Sequence, residues 1–345
     1  KGRPKMAKKA VKKRFSWKTF FSSFTITFLS IAVVVVFLLY GPWPGFRELW
    51  ITTAMTTMNH KYLATMFYDE NTINDVLANN VVIESGESTN SGEITIKDKG
   101  KPTIKKHTVK GNGYYGYMLE ISNPSWIHIG ISNKFGTMGQ KLVNIVDDYN
   151  AIAAINASGF VDPGGHGKGG TPVGIIVQDG KIIYEGTSKT HNIIGFNEDG
   201  VLVLGKFTRQ QILDQGIVNG VDFGPFLIVN GESATIKGDG GWGIAPRTAI
   251  GQRKDGTVLF LVIDGRQPGY SIGLKMSQLQ KIMEDYGAYN AANLDGGSSS
   301  SMHLDGELIT KPCGPIGERW LPNAFVICSP ADYKAAQADR KNLID

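Results

Sequence analysis

Cysteine and histidine are scarce in this chain of 345 residues, which contains two cysteines and six histidines. Their spacing matches none of the short Cys/His motifs that hold zinc, so no centre of that kind is predicted. Cys313 and Cys328 both lie near the C-terminal end. Outside the cytoplasm they could form a disulfide, and two buried free thiols are an equally good interpretation.

Acidic residues are absent from the first 18 positions, which hold nine lysines or arginines. The formal net charge of +5 comes from this tail, because the rest of the chain carries 27 basic against 31 acidic side chains. A nucleic-acid-binding protein carries its positive charge on the folded domain. Nucleic acid is therefore excluded from the expected partners.

Charged residues are also absent from Thr19 to Phe46, and the centre of this stretch, Phe24 to Tyr40, is mostly apolar. About 20 such residues span a bilayer as a helix, and the basic flank places the N-terminus in the cytoplasm. We predict a single-pass signal anchor in the cell membrane over residues 19–45, with the rest of the protein extracellular. A cleaved signal peptide is the alternative, but no small-residue cleavage site follows Tyr40. A buried core helix would leave the basic flank unexplained.

Glycine, by contrast, is abundant, at 43 residues or about 12% against a usual ~7%. Asp-Gly and Asn-Gly pairs, which favour tight hairpin turns, begin at Asp179, Asp199, Asn219, Asn230, Asp255 and Asp305. The clearest helical pattern runs from about Lys275 to Tyr286. We predict an α+β fold with a strand-rich mixed sheet core and few helices, preceded by an N-terminal transmembrane helix.

Composition divides the chain into five segments. They are a cytoplasmic basic tail (1–18), the anchor (19–45), a juxtamembrane helix and polar linker (46–113), a folded domain (114–330) and a C-terminal tail (331–345). The helix is expected from Phe46 to about Phe67, where it would lie on the membrane or pack on the domain. The linker is expected from about Glu84 to Gly113, and its lysines are interpreted as a solvated face.

Three short motifs place charged or small polar residues at the ends of apolar runs. They are Pro246–Gly251, Val262–Arg266 and Asn293–Ser301. Strand ends beside flexible loops are where sites are usually built. Asp264 and Asp295 supply carboxylates to this set, and Arg247 and Arg266 supply guanidiniums that suit phosphate or carboxylate groups. The motifs therefore predict one site for an anionic ligand rich in hydroxyl groups.

Asp264 and Asp295 must be weighed against hairpin turns, because Asp-Gly pairs are common here. Each follows an uninterrupted apolar run and precedes polar or Gly-rich sequence, which favours a site. Gly296 and Gly297 would let a ligand approach backbone N–H groups that could bind an oxyanion. The run Ser298–Ser301 could donate hydroxyls, but no Gly-x-Ser-x-Gly elbow occurs. His166 and His303 are interpreted as surface or packing residues.

Seven motifs, in this order, give the stretch from about Ile155 to Ile327 a specific character. They are Asn156–Phe160, Pro172-x-Gly174, Gly224-Pro225, Pro246–Ala249, Asp264–Arg266, Asn293–Gly297 and Pro322–Ala324. This half of the chain resembles the phosphodiester glycosidase family, the uncovering-enzyme-like glycosidases whose bacterial members are often exopolysaccharide-related. Two motifs depart from the family pattern: Ala157-Ser158-Gly159 replaces Gly-Gly-Phe, and Ser298 replaces a third glycine. Both departures narrow the space beside the site.

The resemblance implies a hydrolase: a membrane-anchored, extracytoplasmic glycosidase acting on a sugar-1-phosphodiester in an exopolysaccharide or envelope glycan. Its catalytic residues would be Asp264, Asp295 and Arg247. Substrate-binding residues would be Asn156, Phe160, Arg266, Thr248, Gly224, Gly296, Gly297, Ser298 and Asn323. One aspartate would act on water or on the anomeric carbon, and the other would stabilise an oxocarbenium-like transition state or bind sugar hydroxyls.

Two other functions are alternatives to the glycosidase. One is a non-catalytic glycan-binding module at the cell surface, and the less favoured one is a serine hydrolase that uses Ser298–Ser301. The sequence requires no cofactor, although a divalent cation held by the aspartates is compatible with it. The expected partners are a glycan-phosphate substrate and, through the N-terminal helix, the membrane.

Overall fold

The computed structural model of the protein describes residues 15–57, 60–97, 100–163, 167–315 and 317–344. The chain divides into two compact units, residues 1–48 and 49–345. Within the described ranges every strand pair is antiparallel. The α+β, strand-rich fold class is confirmed, whereas the sheets are antiparallel and not mixed as expected.

Helix α1, Trp17–Tyr40, makes up most of the described part of the first unit. Its 24 residues are long and apolar enough to cross a membrane, although a signal sequence meets the same criteria. The Ser16 side chain caps its N-terminus by accepting a hydrogen bond from the Thr19 amide. The predicted apolar helix is therefore confirmed, whereas residues 1–14 of the basic tail lie outside the described residues.

The remaining helices are mostly short. They are α2 Pro44–Met55, α3 Tyr62–Thr65, α4 Glu70–Asn79, α5 Leu142–Asp148, α6 Arg209–Asp214, α7 Met276–Asp285 and α8 Pro330–Ile344, with 3-10 turns at Ser91–Glu93, Pro124–Trp126 and Gly297–Ser299. The continuous helix expected over 46–67 is interrupted after Met55. Thr56 and Thr57 donate their hydroxyls to carbonyls three residues earlier, which competes with helix continuation.

The strands are also short. They are β1 Val82–Ile83, β2 Ile104–Gly111, β3 Tyr114–Ile121, β4 Ile127–Ile131, β5 Ala153–Asn156, β6 Ile175–Gln178, β7 Lys181–Glu185, β8 His191–Asn197, β9 Leu202–Phe207, β10 Ile217–Asp222, β11 Phe226–Val229, β12 Glu232–Ser233, β13 Thr235–Ile236, β14 Arg247–Gln252, β15 Val258–Asp264, β16 Asn290–Leu294, β17 Met302–Leu304, β18 Glu307–Leu308 and β19 Asn323–Ile327.

Three sheets enclose the core of the second unit. The largest has the order β12-β11-β16-β14-β15-β3-β2, and two five-stranded sheets have the orders β18-β17-β5-β19-β4 and β7-β6-β10-β8-β9. Strands β1 and β13 form a separate pair. The Phe325 ring meets Phe260 and Phe196, one from each of the other two sheets, at centroid distances of 6.3 and 6.2 Å. The main core therefore lies where the three sheets face one another.

Helix α7 covers the other face of the seven-stranded sheet. Leu279, Ile282 and Met283, spaced three and four residues apart, are buried in a second cluster with residues of β14 and β15. Because β15 is covered on both faces, its residues 258–263 form a continuous apolar run. The helix predicted from Lys275 to Tyr286 is confirmed, and Gly287, at φ +76°, follows its C-terminus.

The segment expected to be a polar linker instead belongs partly to the fold. Residues 104–111 form β2, which pairs with β3 from Ile104 opposite Ile121 to Gly111 opposite Tyr114. The Thr95 amide also donates to the Lys254 carbonyl at 2.9 Å. Strand β2 lies at the sheet edge with its lysines exposed, an arrangement that protects edge strands from aggregation. Its polar composition is thus typical of an edge strand as well as of a linker.

Five of the six hairpin signals connect consecutive strands, with both turn residues at positive φ in Asp179-Gly180, Asn230-Gly231 and Asp305-Gly306. Asn219-Gly220 is the exception, because it lies inside β10. The Asn219 side chain accepts a hydrogen bond from the Ile129 amide at 3.1 Å, and Gly220 packs against the backbone of β8. Buried contacts between strands override the turn preference at this position.

The C-terminal segment, expected to be a tail, forms α8. Its Tyr333 ring stacks on His128 with centroids 4.0 Å apart. Cys328 is buried beneath this helix in a third cluster, and both Cys328 and Cys313 are free thiols. The structure therefore matches the interpretation as free thiols, although only Cys328 is buried and Cys313 is partly exposed.

Candidate active site

The three sequence motifs meet at one end of the seven-stranded sheet. Strand β14 begins at Arg247 and lies between β15, which ends at Asp264, and β16, which ends at Leu294. Arg247 pairs with Ile263, and Thr248 pairs with Leu294. With strands about 4.8 Å apart, the backbones of Asp264 and Asp295 are about 10 Å apart across β14. The predicted convergence follows from the antiparallel strand order.

Asp264 is committed to contacts within the protein. Only 1% of the residue is exposed, its Oδ1 atom accepts from the Lys311 amide, and its Oδ2 atom accepts from the Tyr270 hydroxyl, both at 2.8 Å. Burial raises the pKa of this carboxyl, and the two hydrogen bonds oppose the rise. Each oxygen of Asp264 thus already accepts one hydrogen bond from the protein, and its expected catalytic role stays a prediction.

Asp295 differs from Asp264 in that it is partly exposed. Desolvation by the surrounding protein raises its pKa to about 6, against opposing hydrogen bonds from the Ser299 side chain and the Gly296 amide. Partial exposure combined with desolvation is typical of a carboxyl at the base of a recess. A pKa near neutrality suits a group that exchanges protons during catalysis.

A second acidic group beside Asp295 escaped the sequence analysis. Asp162 is buried and forms an ion pair with Arg319, whose Nη2 atom lies 2.9 Å from its Oδ2 atom. The charge of Asp162 raises the pKa of Asp295, and the charge of Arg319 lowers it. Both residues are close in sequence to motifs, Asp162 after Asn156–Phe160 and Arg319 before Pro322–Ala324. No sequence motif identifies Asp162 and Arg319 as a pair, because they are distant in sequence and only the folded chain brings them together.

Arg247 is buried, with 3% exposed, and mainly binds carbonyl groups. Its Nη2 atom donates to the carbonyls of Trp242 and Gly243 at 2.7 and 2.8 Å. Desolvation, assisted by the nearby charge of Arg266, lowers its pKa to about 10. Arg247 therefore supplies a fixed positive charge under this end of the sheet.

Arg266 is exposed and lies over Gly297. It holds a left-handed backbone conformation at φ +57°, and a Cβ atom at position 297 would come within 3.3 Å of its guanidinium. Within the described parts of the chain, neither Arg266 nor Arg247 forms a salt bridge. Two neighbouring guanidiniums without a carboxylate partner are an arrangement that attracts an anion.

The backbone of Gly296 and Gly297 does not serve as the expected oxyanion site. The Gly297 amide donates to the Pro246 carbonyl at 2.9 Å, and the Gly296 amide donates to the Asp295 carboxylate. Gly297 instead leaves space for the Arg266 guanidinium, because a Cβ atom at this position would lie 3.3 Å from it. Its φ of +62° is also a backbone conformation that favours glycine.

Asn156 and Thr248 were predicted to bind substrate, but both side chains are fully buried. They hold the backbone of the Asp295–Ser301 loop in place. The Asn156 Nδ2 atom donates to the Asp295 carbonyl at 2.6 Å. Its Oδ1 atom accepts from the Thr248 hydroxyl at 2.8 Å and from the Ser301 amide at 3.1 Å. One side chain thus joins β5, β14 and both ends of the Asp295–Ser301 loop.

Asn323 is also fully buried, and its amide group bonds both the amide and the hydroxyl of Ser158. Phe160 and Ser298 are partly exposed, and the Arg319 guanidinium lies 5.3 Å from the Phe160 ring centre. Gly224, joined to Pro225 by a cis peptide, lines a neighbouring groove. Phe160, Ser298 and Gly224 remain candidates for substrate contact, whereas Asn323 orients the loop after β5.

One hydroxyl of the serine run, that of Ser299, donates to the Asp295 carboxylate. None of the run's hydroxyls bonds a histidine in the described ranges; Ser301 donates to the Ser299 carbonyl, and the buried Ser300 hydroxyl has no partner there. His303 packs inside and pairs with Glu318 at 2.9 Å, while His166 lies outside the described residues. No group of three or more potential metal ligands occurs in the part of the chain that was described.

Comparison with known proteins finds similarity in sequence and in fold. Residues 149–328 match the phosphodiester glycosidase family. The SPbeta prophage-derived uncharacterized protein YomE of Bacillus subtilis (strain 168) is 28% identical over 213 residues, which are 58% of this chain and 32% of that protein. The mouse N-acetylglucosamine-1-phosphodiester alpha-N-acetylglucosaminidase is 27% identical over 163 residues, 41% of this chain and 31% of the enzyme.

Among solved structures, the zebrafish N-acetylglucosamine-1-phosphodiester alpha-N-acetylglucosaminidase catalytic domain, auto-inhibited by its pro-peptide, has a similar fold. Its TM-score is 0.58 at 20% identity, and the match covers 70% of this chain and 88% of that domain. This chain spans only about a third of the length of the curated relatives that it matches. The candidate site residues, from Asn156 to Asn323, all lie within the residues that match the family.

Proposed function

Because the chain belongs to the phosphodiester glycosidase family, we propose that it is a membrane-anchored, extracytoplasmic glycosidase that hydrolyses a sugar-1-phosphodiester in an exopolysaccharide or envelope glycan. The observation that carries this proposal is the pair Arg247 and Arg266. Their charges act on each other, and an anionic phosphodiester between them would relieve the repulsion. A phosphate leaving group is already anionic, so it needs positive charge more than a strong general acid.

Asp295 is the proposed general base. Its carboxylate takes a proton from water as the water oxygen attacks the anomeric carbon, the bond from that carbon to the phosphate oxygen breaks, and the phosphate leaves with the electron pair. The raised pKa of about 6 supports this role, because a base is most effective when its pKa lies near the working pH. Asp162 and Arg319 tune this pKa, while Asp264, Asn156 and Thr248 hold the surrounding loops.

Helix α1 supports the proposed anchoring through its length and apolar composition. The basic residues before it favour a cytoplasmic N-terminus. Fractionation of cells that express the full chain tests this part: the protein should remain with membranes after a carbonate wash, and protease added outside intact cells or spheroplasts should digest the second unit.

The activity is tested by incubating the full chain in detergent with UDP-N-acetylglucosamine and with a synthetic sugar-1-phosphodiester, then measuring free sugar. Release of sugar in the wild type and its loss in Asp295→Asn are expected. Binding of glycans without turnover on either substrate would instead favour the glycan-binding module. Loss of activity in Ser298→Ala together with full activity in Asp295→Asn would support a serine hydrolase.

A further inference from the structure

The segment between β13 and β14, residues 237–246, determines where the Arg247 side chain lies. Its Trp242 and Gly243 carbonyls accept both hydrogen bonds of the Arg247 Nη2 atom. Four glycines of this glycine loop have positive φ values between +58° and +79°: Gly238, Gly240, Gly241 and Gly243. Because glycine loses more backbone freedom on folding than any other residue, the loop depends on outside contacts to keep one conformation. Those contacts also fix the guanidinium.

The central contact comes from a segment outside the residues that match the family. Thr52, in α2, is fully buried, and its hydroxyl bonds the Oδ2 atom of Asp239, which is only 4% exposed. The Oδ1 atom of Asp239 accepts from the Gly241 amide at 2.8 Å. The family match begins at residue 149. Asp239 therefore connects α2, which precedes the matched region, to the backbone just before Trp242.

Two further contacts attach the glycine loop to the same part of the chain. The Thr53 hydroxyl oxygen accepts from the Ile244 amide at 3.3 Å, and a Cβ atom at position 243 would collide with Thr53. The Asn80 Oδ1 atom accepts from the Asp239 amide at 3.0 Å. The loop is thus held on both sides of the two carbonyls that bind Arg247.

Asp239 also acts on the charge of Arg247. Desolvation, with a contribution from Arg266, lowers the pKa of Arg247 to about 10, and the negative charge of Asp239 opposes this fall. The hydrogen bonds described for the Arg247 guanidinium go to carbonyl groups. Asp239 therefore stabilises the buried positive charge from a distance, through the field that it exerts rather than through a direct ion pair.

We propose that Thr52, Thr53 and Asp239, together called the loop clamp, are positioning residues for Arg247. The inference rests on the proposed function, in which Arg247 holds the phosphate of the substrate. The loop clamp fixes the glycine loop, and the loop carbonyls fix the guanidinium before an anion binds. A preorganised charge binds an anion without paying for reorganisation at that moment. The segment before the matched region thus completes the anion site.

Thr52→Val and Thr53→Val test the loop clamp, because each removes one hydroxyl and keeps the size of the side chain. Each variant should raise KM for a sugar-1-phosphodiester about three- to ten-fold. The change in kcat should be smaller, because no bond joins the loop clamp to Asp295 in the described residues. Thr52→Ser, which restores the hydroxyl, should recover the wild-type KM. Unchanged KM in both valine variants would overturn the proposal.

Thr89→Val is the matched control for a purely structural effect. Thr89 is buried, and its hydroxyl oxygen accepts from the Leu204 amide of β9 at 2.9 Å. Its valine variant therefore also loses a buried hydrogen bond, and it should lower the melting temperature without changing KM. A rise in KM as large as that in Thr52→Val and Thr53→Val would show that general destabilisation, rather than loop position, weakens substrate binding.

Two measurements on the full chain in detergent test the loop clamp without turnover. Hydrogen exchange of a peptide spanning residues 238–245 should be about ten-fold faster in Thr52→Val and in Thr53→Val, and unchanged in Thr89→Val. Calorimetry with inorganic phosphate should show binding about three-fold weaker, or weaker still, in the two loop-clamp variants.

The two measurements separate the failure of the loop clamp from the failure of the proposed function. If the wild type neither binds phosphate nor hydrolyses a sugar-1-phosphodiester, the proposed function fails, and faster exchange in the variants still supports the loop clamp. Exchange at the wild-type rate in both Thr52→Val and Thr53→Val would refute the loop clamp whether or not the protein is active.

Discussion

Asp264 and Asp295 look alike in sequence, since each ends an apolar run and precedes glycine. The fold separates them through partners supplied by other segments. Tyr270 and the Lys311 amide occupy both oxygens of Asp264, whereas Asp295 stays partly exposed beside Asp162. The sequence therefore predicted the pair but could not divide their roles, because the deciding hydrogen bonds come from loops without a recognisable pattern.

Replacing Asp264 with asparagine should destabilise the protein. The new amide oxygen can still accept from the Lys311 amide, but the Tyr270 hydroxyl would then face an NH2 group and lose its carboxylate acceptor. We expect a loss of about 1–3 kcal/mol in the free energy of unfolding, measured by urea denaturation. Stability equal to the wild type would show that the two contacts are not maintained in solution.

Asp295→Asn should have the opposite effect on stability, in a pH-dependent way. The folded-state pKa of about 6 exceeds the ordinary value of 3.8, so the folded protein binds this proton more tightly than the unfolded chain. The wild type consequently loses stability as the pH rises from about 4 to about 6, by at most about 3 kcal/mol. The variant should be the more stable protein at pH 7 and lose this advantage below pH 4; a pH-independent difference in unfolding free energy would contradict the raised pKa.

Arg266→Asn should weaken substrate binding with little effect on folding. Asparagine tolerates the left-handed backbone at this position, so the main change is loss of the guanidinium. Losing charged hydrogen bonds to phosphate should raise KM about 10- to 100-fold, measured on a sugar-1-phosphodiester. Arg209→Asn, which removes another exposed arginine on α6, is the control, and a KM equal to that of this control would argue against phosphate binding by Arg266.

At the scale of elements, the predictions succeeded where periodicity and turns decide the structure. Helix α7 and the turn at Asp179-Gly180 follow from local sequence alone. The edge strand β2 was missed because exposed lysines are shared by edge strands and linkers. Asn219-Gly220 was misread because a buried hydrogen bond to β4 outweighs its turn preference. In both cases a pairing with a distant segment decides the local structure.

The Asn156 side chain connects several elements, because its hydrogen bonds join β5 to β14 and to the Asp295–Ser301 loop. Asn156→Ala would remove its bonds to Thr248, Ser301 and the Asp295 carbonyl. We expect a loss of about 1–3 kcal/mol in unfolding free energy, together with a fall in kcat larger than any rise in KM, because Asp295 is misplaced rather than removed. Thermal denaturation and steady-state kinetics measure the two effects. Unchanged kcat in a folded variant would show that Asn156 does not position the site.

At the scale of the whole molecule, the matched region does not form the fold alone. Strands β2, β3 and β4 precede residue 149 and complete two of the three sheets. Residues of the 77–84 segment also line a groove together with Gly224 and Trp242 of the matched region. The catalytic motifs could be recognised from sequence, whereas the contribution of the preceding 100 residues or so depends on pairings across the chain that no local pattern encodes.

The most direct test of the account is the pH dependence of kcat/KM for a sugar-1-phosphodiester in the wild type and in Asp295→Asn. If Asp295 is the general base, the wild-type kcat/KM should fall below an apparent pKa of about 6, and the variant should lose about 100-fold or more at pH 7 while remaining folded. Full activity in the variant, or a wild-type profile without this acid limb, would contradict the central claim.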